Sequence, residues 1–441
     1  MSNPISKDRI KIDYVLLITT VVLIILGILT IYSVGSSSSE IRAMEKQYIK
    51  QIYWAVAGFI IFGLLLLVNY QKLGEHAFLI YIGSVLLLIL TLLIGKRIRG
   101  SRSWITLGGG FGFQPSEFVK LGIILSFAKF LEKNNEKIKD IKTVILALLI
   151  VFIPVALILL QPDFGTALVY IPVAFVMLYF AGIRTSHLLS FLIILAIAVV
   201  LPLFTTYFQL IHSSKTMFIE TLSETTVIVK ISLIFGVLFL ILFGLYKFVK
   251  SDIIYRAMII FLIFFVGLLL SALLNDFLKP YQKQRLIVFI NPKIDPFGSG
   301  YNIIQSKIAI GAGGLFGKGL KGGTQSQLGF LPERSTDFIF SIFAEEWGFT
   351  GSFFLLVMYA LFIYRGIAII YNAKDIYGTL VASGIVGMFL FHIIINMGMT
   401  VGIMPITGIP LPFMSYGGSF LITSLASTSI LFNIEMRRYQ R

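Results

Sequence analysis

The chain has no cysteine and only four histidines (His76, His187, His212 and His392), each alone in its stretch of sequence. The first absence excludes disulfides, thiolate metal sites and cysteine nucleophiles, and the second argues against a zinc centre. Charge is scarce too: Asp, Glu, Lys and Arg make up 13% of the 441 residues, against about 25% in soluble domains. With 57% hydrophobic residues and a mean hydropathy of +0.93, the chain reads as a polytopic membrane protein. Apolar stretches run almost without break from residue 14 to residue 433, so a single membrane domain over 1–441 is expected. Acidic residues are the scarcer sign, 21 against 36 Lys and Arg, which leaves a net charge of +15. That excess fits cytoplasmic loops beside anionic lipid. No separate basic domain exists for nucleic acid, and none is expected as a partner.

Lys7, Arg9 and Lys11 precede an apolar run from Tyr14 to Tyr32. The run is longer than a cleaved signal's apolar core and long enough to span, so it is read as a retained first helix. Stretches of roughly spanning length fall near 14–32, 52–68, 77–95, 117–131, 143–160, 166–182, 187–204, 227–248, 257–274, 350–371, 378–395 and 417–433, twelve in all. The expected fold is an all-α polytopic helical bundle. An N-terminus in the cytoplasm puts the segments rich in Lys and Arg near 130–142, 247–256, 365–374 and 437–441 inside. Both termini are then cytoplasmic, and the loops 96–116 and 275–349 lie outside. The first of these carries four cations in Lys96 to Arg102, against the positive-inside rule. Either the membrane tolerates them, or outward cations bind an anionic group.

The loop 275–349 sets charge and glycine between two apolar segments and reads as the working surface. Within it Gly317-Lys-Gly319-Leu-Lys-Gly322 matches GxGxxG formally, yet it follows no strand and opens no βαβ unit, and Gly319 replaces the Ser or Thr of a P-loop. No nucleotide or haem is expected. Two readings remain, a backbone cradle with Lys318 for phosphate oxygens or simple turns. Asp337, after Ser335 and Thr336 and before an apolar run, has the pattern of a helix N-cap; a carboxylate at the edge of a membrane cavity could instead act as general base. Glu345 and Glu346 are expected to stabilise their helix or pair with basic residues. Gln114-Pro-Ser116-Glu117 opens the fourth span, and Lys120 shares a helix face with Glu117. That pair is a structural salt bridge or a substrate contact. Asp163, in the hairpin Gln161 to Thr166, is expected to cap the following helix. Val401 to Ser419 holds three prolines and is read as irregular backbone walling a cavity, carrying Ser415 and Tyr416.

The motifs GSRSWITLG (Gly100 to Gly108), QPSEFVKLG, QPDFGTAL, YQKQR to GYNIIQSKIAIG, LPERSTDFIFSIFAEEWGF and MPITGIPLPFMSYGGS follow one another in this order. Together they resemble the SEDS family (shape, elongation, division and sporulation). NPKIDPFGSGYN and the MTVGIMPITGIPLPFMSYGGSF ending are similar to its RodA-like branch. The resemblance covers roughly 10–204 and 257–436. It implies an inner-membrane glycosyltransferase of bacteria that polymerises lipid II into peptidoglycan strands during elongation. The implied catalytic residue is Asp337, from the TDFIF motif. The implied substrate-binding residues are Arg102, Trp104, Gln114, Ser116, Glu117, Lys120, Asp163, Arg285, Lys318 and Ser415. A divalent cation, Mg or Mn, is implied with no ligand set. The implied partners are lipid II, a class B penicillin-binding protein acting as transpeptidase, and other membrane proteins of the elongation complex.

The chain departs from the family pattern in two places. Residues 205–256 insert two further apolar segments where the family has ten spans, and RGSRSW replaces the more common NGxRRW. Rival readings are a lipid II flippase, a division polymerase of the same family, and an inactive scaffold.

Overall fold

The computed structural model describes residues 12–34, 41–98, 101–106, 112–211, 224–277, 288–289, 291–292, 295–296, 298–327, 330–331 and 333–438. All twelve apolar stretches lie on helices. Among the described residues ten helices are long and apolar enough to cross a membrane, and the chain is a multi-pass membrane protein. Of the other two, Phe164–Phe180 is shorter, and Pro115–Lys133 carries Glu117, Lys120, Lys129, Glu132 and Lys133.

The chain divides into two compact units, residues 1–183 with 305–441, and residues 184–304. The second begins ahead of the segment 205–256 singled out in the sequence. Its helices are Thr185–Ile211, Thr225–Val249 and Asp252–Phe277. The last two form a hairpin that reverses at Lys250, which takes the left-handed conformation at φ 49°. Thr225 Oγ1 donates to Asp276 Oδ1 at 2.6 Å and closes the other end. Gly236 lets Phe265 approach, since a Cβ there would stand 3.0 Å from the ring.

In the first unit, α1 (Tyr14–Val34), α2 (Ile41–Leu67), the short α3 (Tyr70–Glu75) and α4 (Ala77–Ile94) lead into three strands. These are β1 (Lys96–Ile98), β2 (Ser101–Thr106) and β3 (Gly112–Phe113), an antiparallel sheet in the order β1-β2-β3. An all-α reading misses this sheet because its strands are two to six residues long and carry little alternation. There follow α5 (Pro115–Lys133), α6 (Ile141–Leu160) and α7 (Phe164–Phe180). After the second unit come α13 (Ile339–Asn372), α14 (Ile376–Val401) and α15 (Gly418–Met436), numbered so that Thr185–Ile211, Thr225–Val249, Asp252–Phe277, Ser299–Ala312 and Thr324–Gln327 are α8 to α12.

The centre of the first unit runs along α14 and α15, whose spanning windows are 78% and 89% buried against 22% for α4. Being shielded from lipid lets α15 be the least apolar span, at hydropathy 1.3. Its Thr423, Ser424, Ser427 and Thr428 hydroxyls each donate to the carbonyl four residues back, so none is left unmade in the core. Small residues bring backbones close: Leu425 packs over Gly58, where a Cβ would lie 2.5 Å from its Cδ1.

The segment between α14 and α15 is irregular and mostly buried, a placement that demands a partner for every backbone group. Surrounding side chains supply several of them. Asn396 Nδ2 donates to Ile409 O at 2.7 Å, Tyr359 OH to Pro412 O at 2.6 Å and Gln51 Nε2 to Ser415 O at 3.1 Å. Phe413 and Met414 press on α1 at Gly27, where a Cβ would come within 2.7 Å of Phe413 O. The expected cavity wall is therefore a packed backbone segment held at many points.

Candidate functional site

Asp337 sits in the turn leading into α13. The helix N-cap position is taken by Phe338, which makes no side-chain cap bond, and Asp337 directly precedes it. The turn itself is clamped at three successive carbonyls. Tyr416 N donates to Ser335 O at 2.8 Å, Ser415 Oγ to Thr336 O at 2.6 Å and Asn396 Nδ2 to Asp337 O at 2.9 Å. Behind it Glu333, left-handed at φ 56°, accepts the Thr336 and Phe338 N–H groups on its own carbonyl. The half-buried Asp337 side chain lies against Gly408, where a Cβ would be 3.3 Å from Oδ2. Gly408 also has φ 72°, so glycine serves there both the backbone conformation and the space beside the carboxylate.

Ser415 is buried, with its hydroxyl accepting from Leu411 N at 2.8 Å while donating to Thr336. Its oxygen is therefore committed to holding the Asp337 turn and is not offered to a substrate. Beside it, burial pushes the Tyr416 phenol above its usual value and keeps it a neutral donor.

Gln114 and Asp163 lie beside the same segment and the start of α15. Gln114 N donates to Ser419 Oγ and Gln114 Nε2 to Asp163 Oδ2, both at 2.9 Å. Asp163 caps α7 as its position predicts, accepting from Thr166 N at 3.2 Å. Next to it Gly165 abuts Thr407, where a Cβ would be 2.3 Å from the carbonyl. The Gln114–Asp163 pair and Asp337 thus face one backbone segment from two sides.

Ser116, Glu117 and Lys120 are buried. Lys120 Nζ lies 2.8 Å from Glu117 Oε2 and 3.4 Å from His392 Nε2; His392 Nδ1 is 3.1 Å from Pro410 O. The Nδ1–H tautomer satisfies both histidine contacts at once. Between the two readings of Glu117 and Lys120, this geometry favours the structural ion pair, extended through His392 to the segment that flanks Asp337. His392 and Asn396, one turn apart on α14, touch the Lys120 ammonium and the Asp337 carbonyl, and the motif reading missed them. Their signal was present, since two polar side chains in an apolar span have to face protein.

Arg102 and Lys318 are tied elsewhere. The exposed Arg102 sends Nη1 to Leu92 O at 3.2 Å, covering the end of α4. Trp104, half-buried in β2, pairs with Lys96 and packs on Gly112. Lys318 Nζ lies 3.2 Å from Glu345 Oε1. Several N–H groups of the glycine-rich stretch around it are paired with backbone carbonyls. Lys318 N donates to Glu345 O and Gly319 N to Glu346 O, each at 3.0 Å, while Phe349 N and Thr350 N donate to Gly314 O and Leu315 O. These bonds stitch the stretch into a break of α13 at Gly348 (φ 65°). Arg285 lies outside the described residues.

The chain matches a known family over most of its length. The family model "Cell cycle protein" (FTSW_RODA_SPOVE) matches residues 14–226 and 209–440. The chain belongs to this family. The peptidoglycan glycosyltransferase RodA of Treponema pallidum (strain Nichols) is 41% identical to this FtsW/RodA/SpoVE-family chain over 433 residues, covering 97% of it and 98% of the relative. MrdB of Escherichia coli (strain K12), also a peptidoglycan glycosyltransferase, is 32% identical over 444 residues, covering 99% and 97%. Among solved structures, a chain from a peptidoglycan synthase complex that coordinates polymerization and crosslinking is similar at TM-score 0.64 and 30% identity, over 98% of this chain and 99% of that one. The crystal structure of the rod shape determining protein RodA of Thermus thermophilus is similar at TM-score 0.61 and 26% identity, over 98% of each.

The divalent cation implied by the resemblance finds no cage here. Among the described residues no group of three or more His, Asp or Glu side chains could hold a metal ion. Asp163 already spends one oxygen on the α7 cap and the other on Gln114.

Proposed function

We propose that this chain is a peptidoglycan glycosyltransferase that polymerises lipid II into glycan strands during cell elongation, with Asp337 as the catalytic base. The observation that carries the reading is a carboxylate whose turn is fixed at three consecutive carbonyls and whose side chain abuts a glycine. A base fixed before the substrate arrives loses little in reorganisation. Asp337 takes the proton from the 4-hydroxyl of the acceptor GlcNAc as that oxygen attacks the anomeric carbon of the donor MurNAc. The bond from that carbon to the pyrophosphate oxygen breaks, and polyprenyl pyrophosphate leaves with the electron pair. Cations are needed where that charge develops. Lys318 is neutralised by Glu345, so of the two described cations that the resemblance implies for this role, the exposed Arg102 is the one without a carboxylate partner in a salt bridge among the described residues.

This reading places the chain in the bacterial plasma membrane with both termini in the cytoplasm and the 275–349 loop outside. It works there beside a class B penicillin-binding protein, which supplies the transpeptidase, and other elongation proteins. The test is polymerisation of lipid II by the purified chain with its transpeptidase partner, comparing wild type with Asp337→Asn. Strands from wild type alone are expected. Strands from both would move the base elsewhere, and strands from neither, with folding and partner binding intact, would favour lipid transport or a scaffold. Chelator in the same assay asks separately whether a divalent cation takes part.

A further inference from the structure

A groove of about 320 Å³, open to the outside of the bundle, runs between α4 and α5. Its walls include Ile80 and Leu87 of α4 and Phe118 and Leu125 of α5. Its floor forms where the two helices touch, Gly122 lying so close to Ser84 that a Cβ would be 2.3 Å from Oγ. Gly83 opens the notch beside that contact; it is exposed, and a Cβ there would meet nothing within 4 Å.

What lies above the groove is charged. α4 runs straight into β1, where Lys96 and Arg97 are exposed, and Arg102 on β2 reaches back to Leu92 O. β2 contacts both α4 and α5, the two helices that flank the groove. From Leu87 to Ile94 is about two helical turns, or roughly 10 Å. An apolar channel capped by cations at that distance matches an amphiphile with an anionic head and a long apolar tail.

We propose that this groove is the tail subsite for a lipid-linked substrate: it takes an isoprenoid chain, while Lys96, Arg97 and Arg102 face the attached pyrophosphate. The assignment rests on the glycosyltransferase reading above and gives the outward cations of the 96–116 loop a ligand. Gly83 and Gly122 supply room for a chain that is methyl-branched at intervals and so broader than a straight acyl chain.

The test uses the full chain in bilayer nanodiscs of phosphatidylglycerol and phosphatidylethanolamine, with a polyprenyl pyrophosphate probe bearing a photoreactive group in its tail. A phosphatidylglycerol probe with the same group is run beside it. Label from the polyprenyl probe is expected on the α4 and α5 peptides and should fall when unlabelled polyprenyl pyrophosphate competes. Gly83→Leu, whose Cβ meets nothing within 4 Å, fills the notch and displaces two or three methylene contacts, so it should weaken labelling about 15- to 60-fold. Gly63→Leu, also free of neighbours but on α2, should leave it unchanged. Lys96→Ala with Arg97→Ala should weaken competition by polyprenyl pyrophosphate and leave competition by uncharged polyprenol as it was. Equal labelling by the phosphatidylglycerol probe with no competition, or labelling insensitive to Gly83→Leu, would make the groove a seat for ordinary bilayer lipid and overturn the proposal. Labelling needs no turnover, so a chain that binds the probe here yet makes no strands would fail the polymerase reading and keep the subsite.

Discussion

Asn396→Leu tests whether the Asp337 turn is held for catalysis. Asn396 is fully buried, and its Nδ2 donates to Asp337 O and Ile409 O. Its Oδ1 has no partner, so a leucine of similar size removes two hydrogen bonds and loses nothing at the oxygen. Each orphaned buried acceptor costs about 1–3 kcal/mol, whereas hydrogen bonds measured between membrane helices average about 0.6 kcal/mol. The Ile409 acceptor is buried and the Asp337 acceptor half-buried, which places the combined loss at about 2 kcal/mol. If that energy fixes the carboxylate for the transition state, strand formation should fall roughly 30-fold in kcat with little change in KM. Steady-state polymerisation with purified protein and partner measures both. Ser424→Ala removes a hydroxyl bonded only within α15 and serves as the control for generic loosening of the core. An unchanged kcat, or a rise in KM alone, would refute a positioning role for Asn396.

Gly408→Ala meets two costs, a left-handed backbone at φ 72° and a methyl 3.3 Å from Asp337 Oδ2. The first alone is worth about 1–2 kcal/mol; the expected result is folded protein with kcat reduced at least tenfold, read by the same assay. Lys120→Met leaves the Glu117 carboxylate buried without its cation, a change of about 3–5 kcal/mol that should show as poor accumulation in the membrane. Adding Glu117→Gln should restore much of that accumulation, and failure of the double variant to recover would mean that the pair does more than neutralise itself.

The fold was largely legible because lipid imposes a simple rule on long apolar runs, and each of the twelve stretches became a helix. What the rule could not give was the start of α13 at Ile339, ahead of the apolar run at 350. That start depends on the break at Gly348, whose orphaned backbone groups are paired by residues 314–319 across a long loop. The small sheet was hidden for a related reason, since strands this short are specified by pairing rather than by pattern. At the site, local spacing was enough for the Glu117–Lys120 pair and for the Asp163 cap, both settled within one turn of helix. It was not enough for His392, Asn396 and Gln51, whose partners are distant in the chain or belong to irregular backbone.

The glycines between Gly313 and Gly319 show where such reading stops. Glycine at this density signals that something approaches the backbone closely, and a phosphate was one of the two readings kept open. Here the approaching group is another stretch of main chain: a Cβ at Gly317 would lie 2.1 Å from Glu346 O, and one at Gly313 would lie 2.1 Å from Ala344 O. Sequence alone cannot separate the two cases, because an anion and a carbonyl make the same demand for small residues and free N–H groups. The decision comes from asking where each N–H goes, and those of Gly317, Lys318 and Gly319 end on the carbonyls of Gly313, Glu345 and Glu346. Those three donors are spent on closing a helix break and are not offered to a pyrophosphate. Lys318 is likewise spent on Glu345, which moves the search for the leaving-group cations to the exposed residues of β1 and β2.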